Sequence, residues 1–376
     1  MKAIRLMSIS LATVPAILCM VHTAGAVNCP TVTRPVCKCG DTVISDYQMT
    51  GDLLDGAGVA RCSTGDGLSV ASGVTVDCGN FTIKGNYNAN GIQDKYGVFL
   101  ADKDDVTIRR CNMTDFWTGA RVEDSRDVRF EDNTVFDNGH YGIEVTDTTA
   151  VVSNSQRVTL VGNDISGNAD EGIHMSTDAG LSVSPPQHII MGNAVVDNGC
   201  EGIYILRIDG TSISNVGVRV FANVVYGNDS ACAAGGTHAG IYVKDSSHNR
   251  FKYNSLTHDF MQLTDNSDNN KVLSTVINHS FLKLDDNSSD NSMNGVCVLG
   301  DTVTPGDSFQ LKTNANNNSC GACAAYRPSS RHINAVGSSG NTFNNIRTDL
   351  GASPPSIEPG SGVTATTSTN ALSCLE

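Results

Sequence analysis

The chain is organised by short runs in which apolar and polar residues alternate, and one such phrase returns at intervals. It is NGHYGIEV at 138–145, NADEGIHM at 168–175, NGCEGIYI at 198–205 and GTHAGIYV at 236–243. Each copy keeps a glycine and two apolar positions that flank one variable residue. Such alternation predicts short β-strands, with the flanking residues on one face and the variable residue on the other.

Two sets of residues show that these strands repeat with a long period. The glycines lie 22, 23, 30, 30 and 38 residues apart and are Gly97, Gly119, Gly142, Gly172, Gly202 and Gly240. Downstream phrases such as VTLVGNDI contain asparagines that lie 21, 30, 30, 30 and 31 residues apart, namely Asn112, Asn133, Asn163, Asn193, Asn223 and Asn254. Short strands with such a period predict coils stacked about 4.8 Å apart in a parallel β-solenoid.

Most of the repeated positions are expected to be structural. All six asparagines should hydrogen-bond to their equivalents on neighbouring coils and so satisfy backbone groups at each sharp bend, and those from Asn133 to Asn254 should form one internal line. We expect each glycine to provide a tight turn into its strand. The flanking apolar residues should stack as core, and they are Ile143, Val145, Ile173, Met175, Ile203, Ile205, Ile241 and Val243.

The sequence resembles a known group of proteins at this point. The runs CKCGDTVISDYQMTGDLL and GLSVASGVTVDCGNFTIKG, followed by coils of the GIEV and VTLVGNDISGN type, are similar to those of secreted right-handed parallel β-helix repeat proteins. That group includes pectate-lyase-like enzymes and carbohydrate-binding β-helix domains, and the resemblance covers about residues 36–300. It implies an all-β, single-stranded, right-handed parallel β-helix, whereas a shared fold does not fix the chemistry.

Composition agrees with this fold and sets boundaries. With 37 Gly, 10 Pro and one Trp in 376 residues, turns must be frequent and a helix-rich enzyme is disfavoured. The pattern predicts a cap over 27–72, β-helix coils over 73–301, and a C-terminal cap with a loose tail over 302–376. A net charge of −14, without a Lys/Arg run, excludes nucleic acid as the expected partner.

The first residues predict export. Residues 1–26 have a basic start, an apolar run over 6–21 and a small-residue cleavage site at 24–26, as secretory signal peptides do. A lipoprotein anchor at Cys19 is the alternative, which the bulky Leu18 before it disfavours. No later apolar stretch is long enough to span a bilayer. We therefore expect a secreted or periplasmic protein without a membrane span.

The cysteines are expected to form disulfides. Beyond Cys19 an even number remains, which in an oxidising compartment favours bridges over metal clusters. Cys200 and Cys232 should pair and fasten the insertion that lengthens their coil. Cys320 and Cys323 have the spacing of a redox motif or a zinc half-site, but no second pair lies close by, so a structural bridge is the better prediction.

The variable residues should form one column on the outside of the stacked coils. Its members are Phe99, Arg121, Glu144, His174, Tyr204, Tyr242, Gln262 and Lys283. Arg121, Glu144, His174 and Tyr204 are the candidate catalytic residues, because a cation, a carboxylate, an imidazole and a phenol are the groups that uronate lyases and epimerases need. Arg121 would hold a substrate carboxylate, and His174, with Tyr204 as its complement, would transfer protons.

Residues around this column are candidates for substrate binding. They are Tyr242, Arg207, Lys244, Glu123, Glu171, Glu201 and His238. His140 and Asp170 also lie just before the strands, beside Glu171, Glu201 and His238. Carboxylates at this density are suited to Ca²⁺ or to paired glycosidase acids, although a hydrated acidic face is the simpler interpretation. Longer loops at TDTTAVVSNSQ, STDAGLSVSPPQ and LRIDGTSISNVG are expected to wall a groove beside the column.

Two functions follow from these patterns. The first is a protein that engages a polysaccharide along the outer face from Arg121 to Tyr242, with lyase, epimerase or glycosidase activity. The second is a non-catalytic carbohydrate-binding, adhesive or structural surface protein, because exposed tyrosines stack on sugar rings without chemistry. No intact lyase or epimerase signature occurs, since HYGIEV has Glu144 where an Asp-Pro-His run would begin.

Overall fold

The chain winds into a parallel β-helix whose coils contribute strands to three long sheets. The computed structural model describes residues 27–63, 65–87, 91, 93–148, 155–177, 185–212, 214–228, 232, 239–300, 307–326, 332–348, 357 and 362–367. The predicted signal peptide, 1–26, lies outside the described residues. No helix in the described part of the chain is long and apolar enough to cross a membrane.

Each sheet runs along the axis of the β-helix. The first sheet contains β1 Asn28–Cys29, β2 Asp41–Val43, β4 Leu68–Val70, β7 Tyr96–Ala101, β10 Thr118–Glu123, β13 Ile143–Thr146, β16 Ile173–Ser176, β19 Ile203–Leu206, β22 Ala239–Lys244, β25 Phe260–Thr264, β28 Leu282–Leu284, β31 Phe309–Leu311 and β34 Ile333–Asn334. The second contains β3 Tyr47–Gln48, β5 Thr75–Asp77, β8 Asp104–Arg109, β11 Arg126–Glu131, β14 Thr159–Val161, β17 His188–Met191, β20 Val218–Phe221, β23 Arg250–Lys252, β26 Lys271–Leu273, β29 Ser292–Asn294, β32 Ser319–Gly321, β35 Thr342–Ile346 and β36 Thr364–Thr367. The third contains β6 Thr82–Lys84, β9 Asn112–Thr114, β12 Thr134–Phe136, β15 Asp164–Ser166, β18 Ala194–Val196, β21 Val224–Tyr226, β24 Ser255–Thr257, β27 Val276–Asn278, β30 Cys297–Leu299 and β33 Ala324–Tyr326.

The repeated phrase forms the strands of the first sheet in the predicted register. Ile143 pairs with Ile173, Ile173 with Ile203, and Ile203 with Ile241. All eight flanking residues that were predicted as core are at most 1% exposed. Because side chains alternate across a strand, burying these residues places the variable residue on the outer face.

The asparagine ladder is confirmed from Asn133 to Asn254, with one correction. Asn163 Oδ1 accepts hydrogen bonds from Asn133 N–H and Asn133 Nδ2, both at 3.0 Å, and the same pattern repeats at each step to Asn254. Asn112 was predicted as the first member and is not one. Cys111 holds that position, because its N–H donates to Asn133 Oδ1.

Asparagine ladders also occupy the other two corners of the coil. Between the third and first sheets the ladder ends on Asp259 and contains Asn138, Asn168, Asn198 and Asn228. Between the first and second sheets its members are Asn249, Asn270, Asn291, Asn318 and Asn341. Each ladder pairs backbone groups that a sharp bend leaves without a partner, so every corner is stabilised in the same way.

The glycines before the strands are required for a reason other than the predicted tight turn. Gly142 and Gly172 do not have positive φ angles. A Cβ atom on Gly142 would instead lie 2.5 Å from Gly172 O, and one on Gly172 would lie 2.8 Å from Gly202 O. The glycine column therefore allows successive coils to approach closely at the edge of the first sheet.

The sheets extend further at both ends than the composition indicated. β1–β4 lie within the segment 27–72, and β31–β36 lie within 302–376, yet all join the stacked sheets. Strand pairing needs only backbone groups, so it continues where the sequence repeat has faded.

Disulfides occur at both ends and in the middle of the β-helix. The described bridges are Cys29–Cys37, Cys39–Cys62, Cys78–Cys111, Cys200–Cys232 and Cys320–Cys323. The predicted pairing of Cys200 with Cys232 is confirmed, and so is the structural bridge between Cys320 and Cys323. Bridges in this number suggest an extracellular compartment.

Candidate functional site

The variable residues form the predicted column on the outer face of the first sheet. Arg121 pairs with Glu144, Glu144 with His174, His174 with Tyr204, and Tyr204 with Tyr242. A neighbouring column lies two residues further along each strand, where Glu123 pairs with Thr146 and Leu206 with Lys244. The four candidate catalytic residues therefore stand on consecutive rungs about 4.8 Å apart.

The column faces outward, yet its side chains are less open to solvent than the alternation indicated. Glu144 is 9% exposed and Tyr242 is 8% exposed, whereas Arg121, His174 and Tyr204 are half-buried. Neighbouring side chains on the same face cover them, including rings and carboxylates from the turns that precede the strands. Burial of this kind shifts proton affinities away from their values in water.

Arg121 is held by groups of the protein itself. Its Nε lies 3.1 Å from Glu123 Oε2, and a terminal nitrogen lies 3.2 Å from Glu144 Oε2. The guanidinium also lies 5.4 Å from the centre of the Tyr96 ring. A substrate carboxylate would have to compete with two protein carboxylates for this cation, so the predicted role of Arg121 as a carboxylate clamp is disfavoured.

A continuous run of rings follows the same face. From Trp117 to His140 the centroids are 4.5 Å apart, from His140 to Tyr141 3.7 Å, and from Tyr141 to His174 4.5 Å. The steps from His174 to Tyr204 and from Tyr204 to Tyr242 are both 5.1 Å. We call this set the ring face, and its members are Trp117, His140, Tyr141, His174, Tyr204 and Tyr242.

Two adjacent carboxyl groups lie against the ring face. His140 Nε2 is 3.3 Å from Asp170 Oδ2, and His174 Nδ1 is 3.6 Å from Glu171 Oε1. The Glu171 side chain is 9% exposed and the Asp170 side chain 33% exposed. Glu171 Oε2 and His174 Nδ1 are buried and lack a hydrogen-bond partner. Asp170 and Glu171 interact with one another, and this interaction disfavours the ionised form of Asp170.

The electrostatics of the face favour bound protons. Burial, together with the charges of Glu171 and Glu201 and the hydrogen bond to Glu171, raises the pKa of Asp170 to about 7. Burial also raises the pKa of Tyr204 to about 12 and lowers the pKa of His140. At neutral pH His140 and Tyr204 are therefore uncharged, and Asp170 exchanges a proton readily.

Glu144 has two opposing influences. Burial raises the pKa of its carboxyl group, whereas the positive charges of Arg121 and His174 lower it. The close ion pair with Arg121 favours the ionised form at neutral pH. The net effect is a Glu144 pKa above its ordinary value, with the Arg121 charge opposing the effect of burial.

The other residues predicted to bind substrate differ in their burial and in their charged partners. Arg207 is exposed and faces Asp245 at 3.8 Å, and Lys244 faces Asp265 at 3.3 Å. Glu201 is buried at 5% exposure. His238 lies outside the described residues.

The loops that were predicted to wall a groove are described only in part. Residues 149–154, 178–184 and 213 are outside the described residues, so the groove stays a prediction.

Metal-ligating groups are sparse in the described ranges. Among those residues, the group whose potential ligand atoms converge is Cys200, Glu201 and Cys232, and both sulfur atoms belong to a disulfide. Disulfide sulfur is a poor metal ligand compared with a thiolate, so this group is not a zinc site. Three carboxylates do not converge in the described residues, and the Ca²⁺ prediction has no defined ligand set there.

Comparison with protein families agrees with the architecture. The family model described as "Right handed beta helix region" matches residues 40–185. The chain is a right-handed parallel β-helix protein. No curated protein matches its sequence.

Solved structures similar to this β-helix protein include three enzymes that are named for a carbohydrate substrate. The periplasmic alginate epimerase AlgG is 13% identical, with a TM-score of 0.42 and coverage of 86% of this chain and 77% of that one. The pectate lyase Pel9A is 11% identical, with a TM-score of 0.38 and coverage of 81% and 72%. The catalytic domain of a GH87 α-1,3-glucanase is 10% identical, with a TM-score of 0.46 and coverage of 86% and 63%. Identities and TM-scores of this size carry no argument about activity, which has to come from the side chains.

Sequence reasoning missed two rings of the site in the β-helix protein. Trp117 and Tyr141 complete the ring face. They stand two positions before Gly119 and one position before Gly142. Their contact with the column depends on how these turns pack against the strands, which the alignment of the variable residue does not show.

Proposed function

We propose that this exported β-helix protein binds a polysaccharide along the ring face. The observation that carries the proposal is the unbroken contact of six rings on five consecutive coils, three rings in the turns before β10 and β13 and three on β16, β19 and β22. Five rungs extend over about 19 Å, which suits a chain of several sugar units. Tyr and Trp rings give a glycan apolar contact while their polar atoms remain available to hydroxyl groups.

The charges of the face favour a neutral polysaccharide. Arg121, Arg207 and Lys244 each already face a carboxylate of the protein. The centre of the ring face carries Asp170, Glu171 and Glu201 in addition, so a polyanionic chain would meet excess negative charge. A neutral glycan avoids this cost.

Replacement of Tyr204 by Ala tests the proposal. The substitution interrupts the ring face at its centre and should weaken binding about tenfold or more, because ring contacts and buried area are both lost. Tyr253→Ala is the matched control, since Tyr253 is 57% exposed and lies outside the ring face. Affinity electrophoresis in gels containing dextran, laminarin, galactomannan or arabinoxylan measures the difference. Equal retention of both variants and the wild type would contradict the proposal.

A second candidate function rests on the register of Arg121, Glu144, His174 and Tyr204. Their consecutive pairing supports lyase or epimerase activity on a uronate polymer, with His174 and Tyr204 as the proton-transfer groups. Incubation with alginate and polygalacturonate tests it. A lyase would raise the ultraviolet absorbance through a new double bond, and an epimerase would exchange solvent deuterium into the sugar.

Ca²⁺ remains a predicted cofactor for these carboxylates. Calorimetric titration of the chelator-treated protein with CaCl₂ tests this prediction directly, because binding of Ca²⁺ to carboxylates can be measured before the glycan is identified.

A further inference from the structure

Asp170 and Glu171 are adjacent carboxyl groups whose place in the fold suggests chemistry. Glu171 is buried with one oxygen unpartnered, and Asp170, the next residue, is the more open of the two. His140 from the preceding coil contacts Asp170, and His174 from the following strand contacts Glu171. Both histidines belong to the ring face, so a glycan bound there would lie against the pair.

We propose that the protein hydrolyses glycosidic bonds of a neutral polysaccharide, with Asp170 as general acid and Glu144 as the carboxylate that activates water. The inference rests on the proposed function and names the reaction at the same site. Asp170 meets the geometric need of an acid, because it is open enough to reach a substrate and is held between His140 and Glu171. Glu144 meets the need of a base, because Arg121 favours its ionised form.

The groups around Asp170 explain why it holds a proton near neutral pH. Burial raises the pKa of Asp170 most strongly, and interaction with Glu171 on its own coil and Glu201 on the next raises it further, to about 7. His174 acts in the opposite direction, and burial keeps His140 neutral by lowering its pKa. Glycosidases divide the acid and base roles between two carboxyl groups with different surroundings, here Asp170 beside Glu171 and Glu144 beside Arg121.

The reaction uses water and conserves every atom. Asp170 gives its proton to the bridging oxygen while the bond between that oxygen and the anomeric carbon breaks. A water molecule forms a bond to the anomeric carbon and gives one proton to Glu144. The chain is cut into two sugars, each with a new hydroxyl group, and transfer of the proton from Glu144 through solvent to Asp170 restores the site.

The same observations indicate the substrate class. Removing a proton from carbon next to a uronate carboxylate requires an unoccupied cation to stabilise the developing charge. Arg121 is paired with Glu123 and Glu144 instead. Hydrolysis of a neutral glycan has no such requirement, and it uses the carboxyl groups that this face does supply.

Asp170→Asn tests the inference against Asp164→Asn, an exposed carboxylate on the same coil. The substrate is whichever of dextran, laminarin, galactomannan and arabinoxylan the wild type binds in affinity gels, and the readout is new reducing ends. We expect Asp170→Asn to bind as the wild type does but to lose about 100-fold or more in turnover. Asp164→Asn should stay within about twofold of the wild type, since exposed substitutions away from a site have little effect.

The pH profile separates acid catalysis from a structural role. Wild-type kcat/KM should fall as pH rises through about 7, as Asp170 loses its proton, and this limb should be absent in Asp170→Asn. Glu144→Gln should abolish turnover. Because this substitution also breaks the ion pair with Arg121, Glu144→Asp, which keeps the charge, is measured as a second variant.

The outcomes that overturn the inference differ from those that overturn the proposed function. Binding without new reducing ends contradicts hydrolysis and leaves polysaccharide binding intact. An Asp170→Asn variant as active as Asp164→Asn, or one that keeps the limb near pH 7, removes Asp170 from the acid role. Absence of binding to all four polysaccharides contradicts the proposed function itself.

Discussion

At the scale of single residues, burial within the coils decides which side chains hold protons. Asp170 keeps a proton near neutral pH on the ring face, whereas His188 is kept neutral inside the β-helix. His188 is 1% exposed, and its Nδ1 accepts a hydrogen bond of 3.2 Å from the Val158 N–H. Asn249 Oδ1 likewise accepts a hydrogen bond of 2.7 Å from the Val218 N–H, so His188 occupies the position that asparagine occupies in other coils.

His188 should make the fold sensitive to acid. Burial lowers its pKa to about 3, whereas an unfolded chain binds the proton below about 6.5. Between these values the unfolded state gains a proton that the native state does not, so stability falls as pH falls, by about 3 kcal/mol between pH 7 and pH 4. His188→Asn keeps an acceptor for Val158 and should flatten this dependence. Urea midpoints at the two pH values measure it, and parallel declines in both proteins would count against the assignment.

At the scale of strands and corners, the sequence predicted what repeats with a constant spacing. The 30-residue period placed the core and the ladder from Asn133 to Asn254 correctly, because identical coils put equivalent residues in line. Asn112 failed because the coil below it is shorter, and spacing alone does not distinguish it from its neighbour Cys111. The ladder that begins at Asn138 was overlooked although its members open the repeated phrase.

Asn193 and Asn112 should differ sharply in their effect on stability. Asn193→Ala leaves the buried Asn163 N–H without its acceptor and removes a hydrogen bond to the Leu160 carbonyl, which should cost about 2–4 kcal/mol in the free energy of unfolding. Asn112 bonds Asn80 O in an exposed position, so Asn112→Ala should cost less than about 1 kcal/mol. Denaturant unfolding of both variants measures the change in the free energy of unfolding. Similar values for the two would contradict a specific stabilising role of the ladder.

At the scale of the whole molecule, the stack of coils creates features that no single repeat contains. The outer column could be read from the sequence, because one alignment of the glycines defines it. The ring face could not, because its rings come from three positions relative to those glycines and meet only when the turns pack against the strands. The raised pKa of Asp170 depends on burial, on Glu171 and on Glu201 from the next coil, which spacing does not reveal.

Fluorescence of Trp117 tests the central claim, that a polysaccharide lies along the ring face. Trp117 is the one tryptophan of the chain and stacks on His140 at 4.5 Å, so its emission reports on this face. Titration with oligosaccharides of the polysaccharide retained in affinity gels should shift the emission saturably. Tyr204→Ala should need about tenfold more ligand, and Tyr253→Ala should match the wild type. Retention of the polysaccharide with no change in Trp117 emission, in the wild type and both variants alike, would place binding elsewhere and contradict the account.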